Sequence, residues 1–318
     1  MLQPASREEV RQVGGPLWLL INQSHWSRER GQFKVTRNAA SSILAHLAYC
    51  AIGEEERNNH SRAKLVPCEM FQRLVIGEEF DFADALESLD FQGVHVIRTR
   101  RSVAVLIPAR TFIFVAVRGT QFAYDWLVNL NAFKSNSSFG GRIHRGFLNE
   151  AEELASAIRD CLSSKMADRI SKSDCAIYLS GHSLGGAIAA LLNQMQFQVP
   201  INDCYIFGSP RVGKLSSLIE TSRIFATRRH LDIVAHCPPR MLGFENYARQ
   251  FTCSGAEFDE SDGLELQFFG SWLFGLALKN FQQHHSMEHY RFEAVGEARR
   301  DPQNSRYWRE DWPDFAPL

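Results

Sequence analysis

Cys175-Ala-Ile-Tyr-Leu-Ser180, then Gly181-His182-Ser183-Leu184-Gly185-Gly186, then Ala187-Ile-Ala-Ala-Leu-Leu192: this stretch decides the reading of the chain. A short apolar run, a G-x-S-x-G turn and a second apolar run spell strand, sharp turn and helix, the nucleophile elbow. The chemistry explains the spacing. A serine hydroxyl attacks poorly until a base takes its proton. An elbow holds such a serine in a strained turn, with its Oγ clear of the sheet. Gly181 and Gly185 lack side chains where neighbouring backbone must pass close.

Outward from the elbow, strand and helix patterns alternate. Thr111 to Val117 is continuously apolar, as a strand buried on both faces should be. Val94 to Ile97 and Ser102 to Ile107 read as adjacent strands. Phe147 to Leu162 places apolar residues at 147, 151, 154, 155, 158 and 162, the spacing of an amphipathic helix. A nearly all-apolar helix is expected over 184–197, and short strands over Cys204 to Phe207 and Ile224 to Ala226. Upstream, Thr36 is placed to cap a helix reaching about Cys50. This alternation predicts the α/β class, with a mostly parallel central sheet and helices on both faces. A single domain, 1–318, is expected. Residues 1–35 read as a polar N-terminal extension and 292–318 as a C-terminal tail on the surface.

An activated serine needs a base, a carboxylate to orient the base, and donors for the oxyanion. In chains built on this elbow the acid and base follow the serine. Asp232 comes after the strand pattern ending at Thr227 and is the leading acid. Asp203 reads as preceding its strand, and Asp259 and Asp262 sit in an acidic loop. The base must be one of His284, His285 and His289. His285 and His289 would also lie one helical turn apart, as a metal pair does. No third ligand is apparent, and Glu288 is misplaced for H-E-x-x-H. The oxyanion donors should be the N–H of Leu184 and a group on the turn Arg118-Gly119-Thr120. Thr120 offers both an N–H and a hydroxyl.

Several ordered blocks between about Ala39 and Tyr290 resemble one family, the class 3 lipases of the α/β-hydrolase superfamily. Ile113 to Thr120 resembles its strand and R-G-T turn. Asp125-Trp126-Leu127 with Asn129-Leu130 resembles its D-W-L-x-N-L continuation. His144-Arg-Gly-Phe147 resembles H-x-G-F, and Gly181 to Gly186 is G-H-S-L-G-G unchanged. Phe207 to Gly213 resembles F-G-x-P-R-V-G. Asp232-Ile-Val234 matches the family acid. His285-Ser-Met-Glu-His-Tyr290 resembles H-S-x-x-x-Y, which selects His285 as base. The resemblance implies an α/β-hydrolase fold and a serine carboxylester hydrolase acting on lipid-like esters. Its site would be Ser183, Asp232 and His285, with Thr120 and Leu184 as the oxyanion hole. It implies no metal and no organic cofactor. A phospholipase, galactolipase or short-chain esterase is an alternative within enzymes, and a catalytically silent lipase-like binding module is the alternative outside them. His236-Cys237 departs from the Pro-Arg common in the family, and His284 stands where an acidic residue is common.

The substrate-side candidates are Trp126, His144, Phe269 and Trp272. Residues 264–281 are unusually apolar and directly precede the histidines. They read as a core helix or as an acyl-chain wall or lid, with aromatics free to enter a lipid surface. Phe122 to Phe139 is a second lid candidate.

Composition excludes several other classes. With 45% hydrophobic and 22% charged residues in 318, the chain can bury a sizeable core. A net charge of −1 gives no basic field for nucleic acid. No run reaches the ~18 apolar residues of a membrane span. Seven scattered cysteines, none in CxxC spacing, read as buried free thiols in a reducing compartment. Leu17 to Ile21 is too short for a signal h-region. The secreted fungal members of the family carry a signal peptide and disulfides. The expected address is therefore cytoplasmic, with export by a signal-less route left open.

Overall fold

The structure, a computed structural model, describes residues 26, 30–50, 93–109, 112–119, 134–138, 140–172, 174–214, 220–230, 232–257 and 284–301. Apolar and β-branched runs make its strands. β1 (His95–Arg98), β2 (Val103–Ala109) and β3 (Phe112–Val117) pair antiparallel in sequence order. β4 (Lys134–Asn136), β5 (Arg142–His144) and β8 (Gly213–Lys214) form a small antiparallel sheet of their own. β6 (Ala176–His182), β7 (Ile201–Phe207), β9 (Ile224–Thr227) and β10 (Arg249–Phe251) continue from β3, every pairing parallel. Among the described residues the main sheet therefore runs β1-β2-β3-β6-β7-β9-β10, with the elbow strand at its centre.

Five α-helices are described: α1 (Val35–Leu47), α2 (Arg145–Lys165), α3 (Ala167–Lys172), α4 (Leu184–Leu192) and α5 (Met287–Arg300). Strand alternation decides which covers which face. Cys204 and Ile206 of β7 point into a core shared with Val115 and Val117 of β3 and Leu179 of β6. Helices α2 and α4 close that core. Tyr205 and Phe207 point the other way, toward Ala45 of α1, Tyr49 in the turn just after it, and Met287 and Tyr290 of α5. The six positions picked out for an amphipathic helix, 147, 151, 154, 155, 158 and 162, are the buried stripe of α2, together with Leu148. Fully burying one large apolar side chain is worth about 1.5–3 kcal/mol.

The mostly parallel sheet with helices on both faces agrees with the sequence reading; four expectations need correction. α4 stops at Leu192 rather than 197, because the chain turns from Asn193 towards β7. Thr36 lies inside α1, whose N-cap residue is Lys34. The C-terminal tail is helical as far as Arg300. Its buried stripe is Met287, Tyr290, Arg291, Ala294, Val295 and Ala298, in which two alanines and an arginine thin the apolar signal. Asp203 stands within β7 rather than before it. The end of the N-terminal extension is also packed. Trp26 sits edge-on to Phe114 and Tyr178, and Phe33 stacks on Phe251. No helix among the described residues is long and apolar enough to cross a membrane.

Asp203 carries a fold-level charge pair. Its Oδ2 meets Arg37 Nη1 at 3.2 Å, both side chains fully buried, and its Oδ1 accepts from the Gly31 N–H at 2.9 Å. Burial pushes the Asp203 carboxyl up, against the pull of the Gly31 N–H and of Arg37. Removing Arg37 would strand that carboxylate. Arg37→Leu should cost about 3–5 kcal/mol in urea unfolding, and adding Asp203→Asn should recover part of it. A double variant as unstable as the single one would show that the uncompensated charge is not the cause.

Candidate active site

β6 ends at His182, α4 begins at Leu184, and Ser183 joins them at φ 57° and ψ −129°. It is the one non-glycine residue with positive φ among those described. Close packing forces this shape. A Cβ on Gly181 would lie 2.3 Å from the Gly185 carbonyl oxygen, and one on Gly185 would lie 2.3 Å from that of Val117. The turn is pinned further by the Ser183 N–H, which donates to the Phe207 carbonyl at 2.9 Å.

The parallel strands deliver the partners to the same edge of the sheet. Asp232 comes from the connection after β9, and His285 from the turn just before α5. The Ser183 hydroxyl lies 2.8 Å from His285 Nε2. His285 Nδ1 lies 2.9 and 3.0 Å from the two Asp232 carboxylate oxygens. All three are buried: Ser183 is 1% exposed, His285 5% and Asp232 0%. Room for the pair depends on Gly208, with φ +52°, where a Cβ would lie 2.5 Å from Asp232 Oδ2.

Asp232 is held by more than the imidazole. The Tyr290 hydroxyl donates to Oδ2 at 2.6 Å, and the Val234 N–H donates to Oδ1 at 3.0 Å. Burial alone would raise its pKa. The His285 imidazole, its hydrogen bond and the Tyr290 hydroxyl outweigh burial and hold the carboxyl below its ordinary value. Burial and the Asp232 charge push the Tyr290 phenol well up, so it stays a donor. An ionised carboxylate only accepts. The proton of a neutral His285 therefore sits on Nδ1, and the Nε2 lone pair faces the serine hydroxyl.

His182 locks the loop that carries His285. Its Nε2 lies 2.7 Å from the His285 carbonyl oxygen, and its Nδ1 2.7 Å from the Tyr49 hydroxyl. A carbonyl only accepts, so Nε2 carries the hydrogen and Nδ1 accepts from Tyr49. Burial, then the neighbouring His285, push the His182 pKa down to about 3, which keeps this arrangement neutral. Arg229 holds the same loop by donating to the His284 carbonyl at 2.9 Å.

Of the residues expected at the site, the structure brings together Ser183, Asp232, His285 and Leu184, the first residue of α4. His289 lies on α5, and His284 meets Arg229 through its carbonyl. His144 does not join them in any described contact: it is the N-cap residue of α2, its Nδ1 accepting from the Phe147 N–H at 3.4 Å. Thr120, Trp126, Phe269 and Trp272 lie outside the described residues, as do the 264–281 segment, Asp259 and Asp262. Sequence reasoning missed the work of Tyr290, Tyr49, His182 and Gly208. Three of these stand inside the quoted blocks, so the positions were visible though the contacts were not. Nothing in the sequence flags Tyr49.

A strained serine between the central strand and a buried helix, with a carboxylate and an imidazole brought to it from later loops, is the arrangement of the α/β-hydrolase fold. The model of the class 3 lipase family matches residues 114–242 of this chain. A secreted mono- and diacylglycerol lipase of Fusarium solani is 28% identical over 178 residues, 52% of this chain and 52% of that protein. A lipase of Rhizomucor miehei is 26% identical over 152 residues, 44% of this chain and 41% of that protein. Among solved structures, lipase II of Rhizopus niveus aligns with a TM-score of 0.47 at 18% identity, covering 69% of this chain and 81% of that one. The chain spans about half the length of the curated relatives it matches, or less. One expectation falls here. The cytoplasmic address rested on a missing leader, yet the Fusarium relative is by name a secreted protein.

Three buried histidines make the fold acid-sensitive. Burial, then Arg228 and Arg211, push His236 down to about 3. His182 lies equally low, and burial, then Arg291, put His46 well below its ordinary value. The unfolded chain protonates all three below pH ~6.5, so as the pH falls it binds protons the native state refuses, down to about 3 for His182 and His236. Stability is whole above pH ~6.5 and falls as the pH drops, by about 1.4 kcal/mol per unit for each histidine. Melting temperature should be level from pH 7 to 8 and drop steeply from 6 to 4.5. A level profile down to pH 5 would contradict the buried neutral histidines.

Proposed function

We propose that this protein is a serine carboxylester hydrolase acting on acyl esters of lipid-like alcohols. The observation that carries the reading is the unbroken chain from Ser183 Oγ through both nitrogens of His285 to the buried Asp232. In this reading the Ser183 oxygen bonds to the ester carbonyl carbon while its proton passes to His285 Nε2. The carbonyl electron pair moves onto oxygen, where the Leu184 N–H and Thr120 receive it. Collapse of the tetrahedral intermediate breaks the bond to the alcohol oxygen, and His285 returns the proton to that leaving group. Water, deprotonated by the same imidazole, then releases the acid from the acyl-serine. Asp232 keeps the imidazole in its working tautomer and offsets its charge, and Tyr290 keeps Asp232 ionised.

The name of the Fusarium relative supports mono- and diacylglycerols as the ester class and an extracellular setting for this chain too.

Ser183→Ala should lower hydrolysis of p-nitrophenyl butyrate at least ~10³-fold with an unchanged melting temperature. A fluorophosphonate probe should label the parent protein and not that variant. An unlabelled parent without ester turnover would instead mark a binding module on a lipase-like fold. His285→Ala should be as inactive as the serine variant, with His284→Ala and His289→Ala close to the parent. Thr120→Val should lower kcat by roughly 10- to 10³-fold with little change in KM. Tyr290→Phe removes one donor from Asp232, and it should lower kcat without changing KM.

A further inference from the structure

We infer that the tip Met241-Leu242, together with the outer face of the small β4-β5-β8 sheet, docks the protein on an anionic lipid surface. This rests on the lipid-ester reading above and adds the place and polarity of the contact.

The tip belongs to the connection that carries Asp232. After Pro238 and Pro239 the chain makes one short turn, Arg240–Leu242, which ends at Gly243 with φ 72°. That turn presents Met241 at 75% exposure and Leu242 at 51%. Two adjacent apolar side chains so exposed are costly in water and useful against acyl chains. Lys134 of β4 fastens the tip in place. Its ammonium donates to the carbonyls of Leu242 and Gly243, both at 2.7 Å, and lies 4.1 Å from the centre of the buried Phe244 ring. The Glu245 N–H also donates to the Gly213 carbonyl, so the connection and the small sheet are joined at a second point. The tip is therefore a fixed projection of that sheet.

Register shows what surrounds it. Ile143 points into the main core, so its neighbours on β5, Arg142 and His144, share the opposite, outer face. Lys214 is the cross-strand partner of Arg142, and Lys134 that of His144. Cross-strand partners lie on the same face. Lys134, Arg142 and Lys214 therefore crowd one side, and partial burial together with Arg142 lowers the Lys134 pKa. Among the described residues, the carboxylate paired with them is Glu245, 4.0 Å from Lys214 Nζ. Three cations against one acid on a chain of net charge −1 make a local positive field beside an apolar point. Anionic headgroups answer the first and acyl chains the second. The tip lies on the same connection as Asp232, whose carboxylate meets the His285 imidazole beside Ser183.

The test uses the full chain and vesicles of ether-linked phospholipids, which no ester hydrolase can cut. Sedimentation with phosphatidylglycerol–phosphatidylcholine vesicles should show binding that weakens with salt, and pure phosphatidylcholine vesicles should bind little. Arg142→Glu with Lys214→Glu should weaken binding to the anionic vesicles roughly ten-fold or more. Met241→Ser with Leu242→Ser should weaken it about as much. Both pairs should keep the parent melting temperature and the parent rate on soluble p-nitrophenyl butyrate. Binding equal to the parent in either pair, or absent in the parent, would overturn the proposal. So would a parent that dimerises through the tip in sedimentation without vesicles. Vesicle binding with no turnover of the soluble ester would leave the surface standing and sink the hydrolase reading.

Discussion

Ser183 holds a backbone shape that costs about 1–3 kcal/mol in a free chain, and close packing at the end of β6 enforces it. The ends of β3 and β6 and the start of α4 meet with backbone against backbone, leaving no space for a Cβ at 181 or 185. That approach is possible because α4 is almost entirely small or apolar and buried from Gly185 to Leu192. The strain at the serine is thus balanced by helix burial that depends on the same glycines. The other parts of the site are placed relative to this fixed point by the parallel register of β6, β7 and β9.

Charge burial is the second constraint, and two carboxylates show how it is resolved. Asp203 and Asp232 are both fully buried. Asp203 has a Gly31 N–H at 2.9 Å and an Arg37 guanidinium at 3.2 Å, and burial still pushes it up. Asp232 has a phenol at 2.6 Å, an imidazole at 2.9 and 3.0 Å and a backbone N–H at 3.0 Å, and its pKa falls. The imidazole and the phenol beside Asp232 outweigh its burial, whereas the Gly31 N–H and Arg37 do not outweigh that of Asp203. One buried carboxylate is a structural tie; the other is kept charged where a neighbouring imidazole needs a permanent acceptor.

How much of this was readable in advance follows from the range of each interaction. The elbow, β3 and the stripe of α2 were legible because they rest on local periodicity and on glycine spacing, both written within a few residues. Asp232 and His285 were legible through chain order and the ordered blocks, since composition around them offers several rivals. The helix beyond Phe292 was missed because its buried face is only Ala294, Val295 and Ala298, too little large apolar surface to mark a period. Tyr49 was missed for a different reason. Its partner lies 133 positions away, and a tyrosine at the end of an apolar helix reads as ordinary core.

Those distant contacts say how the site comes to exist. The Tyr49 hydroxyl reaches His182, His182 reaches the backbone of His285, and Arg291 of α5 donates to His46 of α1 at 3.1 Å. Asn38 of α1 also accepts from Thr227, the last residue of β9, just before the Asp232 connection. Helices α1 and α5, from opposite ends of the described chain, pack on the face of the sheet away from α2 and α4. Their packing sets the position of the histidine loop. The elbow rests on local sequence, whereas the place of His285 beside the serine rests on the packing of these two helices. Closing so long a span of chain costs entropy that local contacts cannot repay. The long-range polar contacts around His182 are therefore part of the folding free energy as well as of the site geometry, and the two cannot be varied independently.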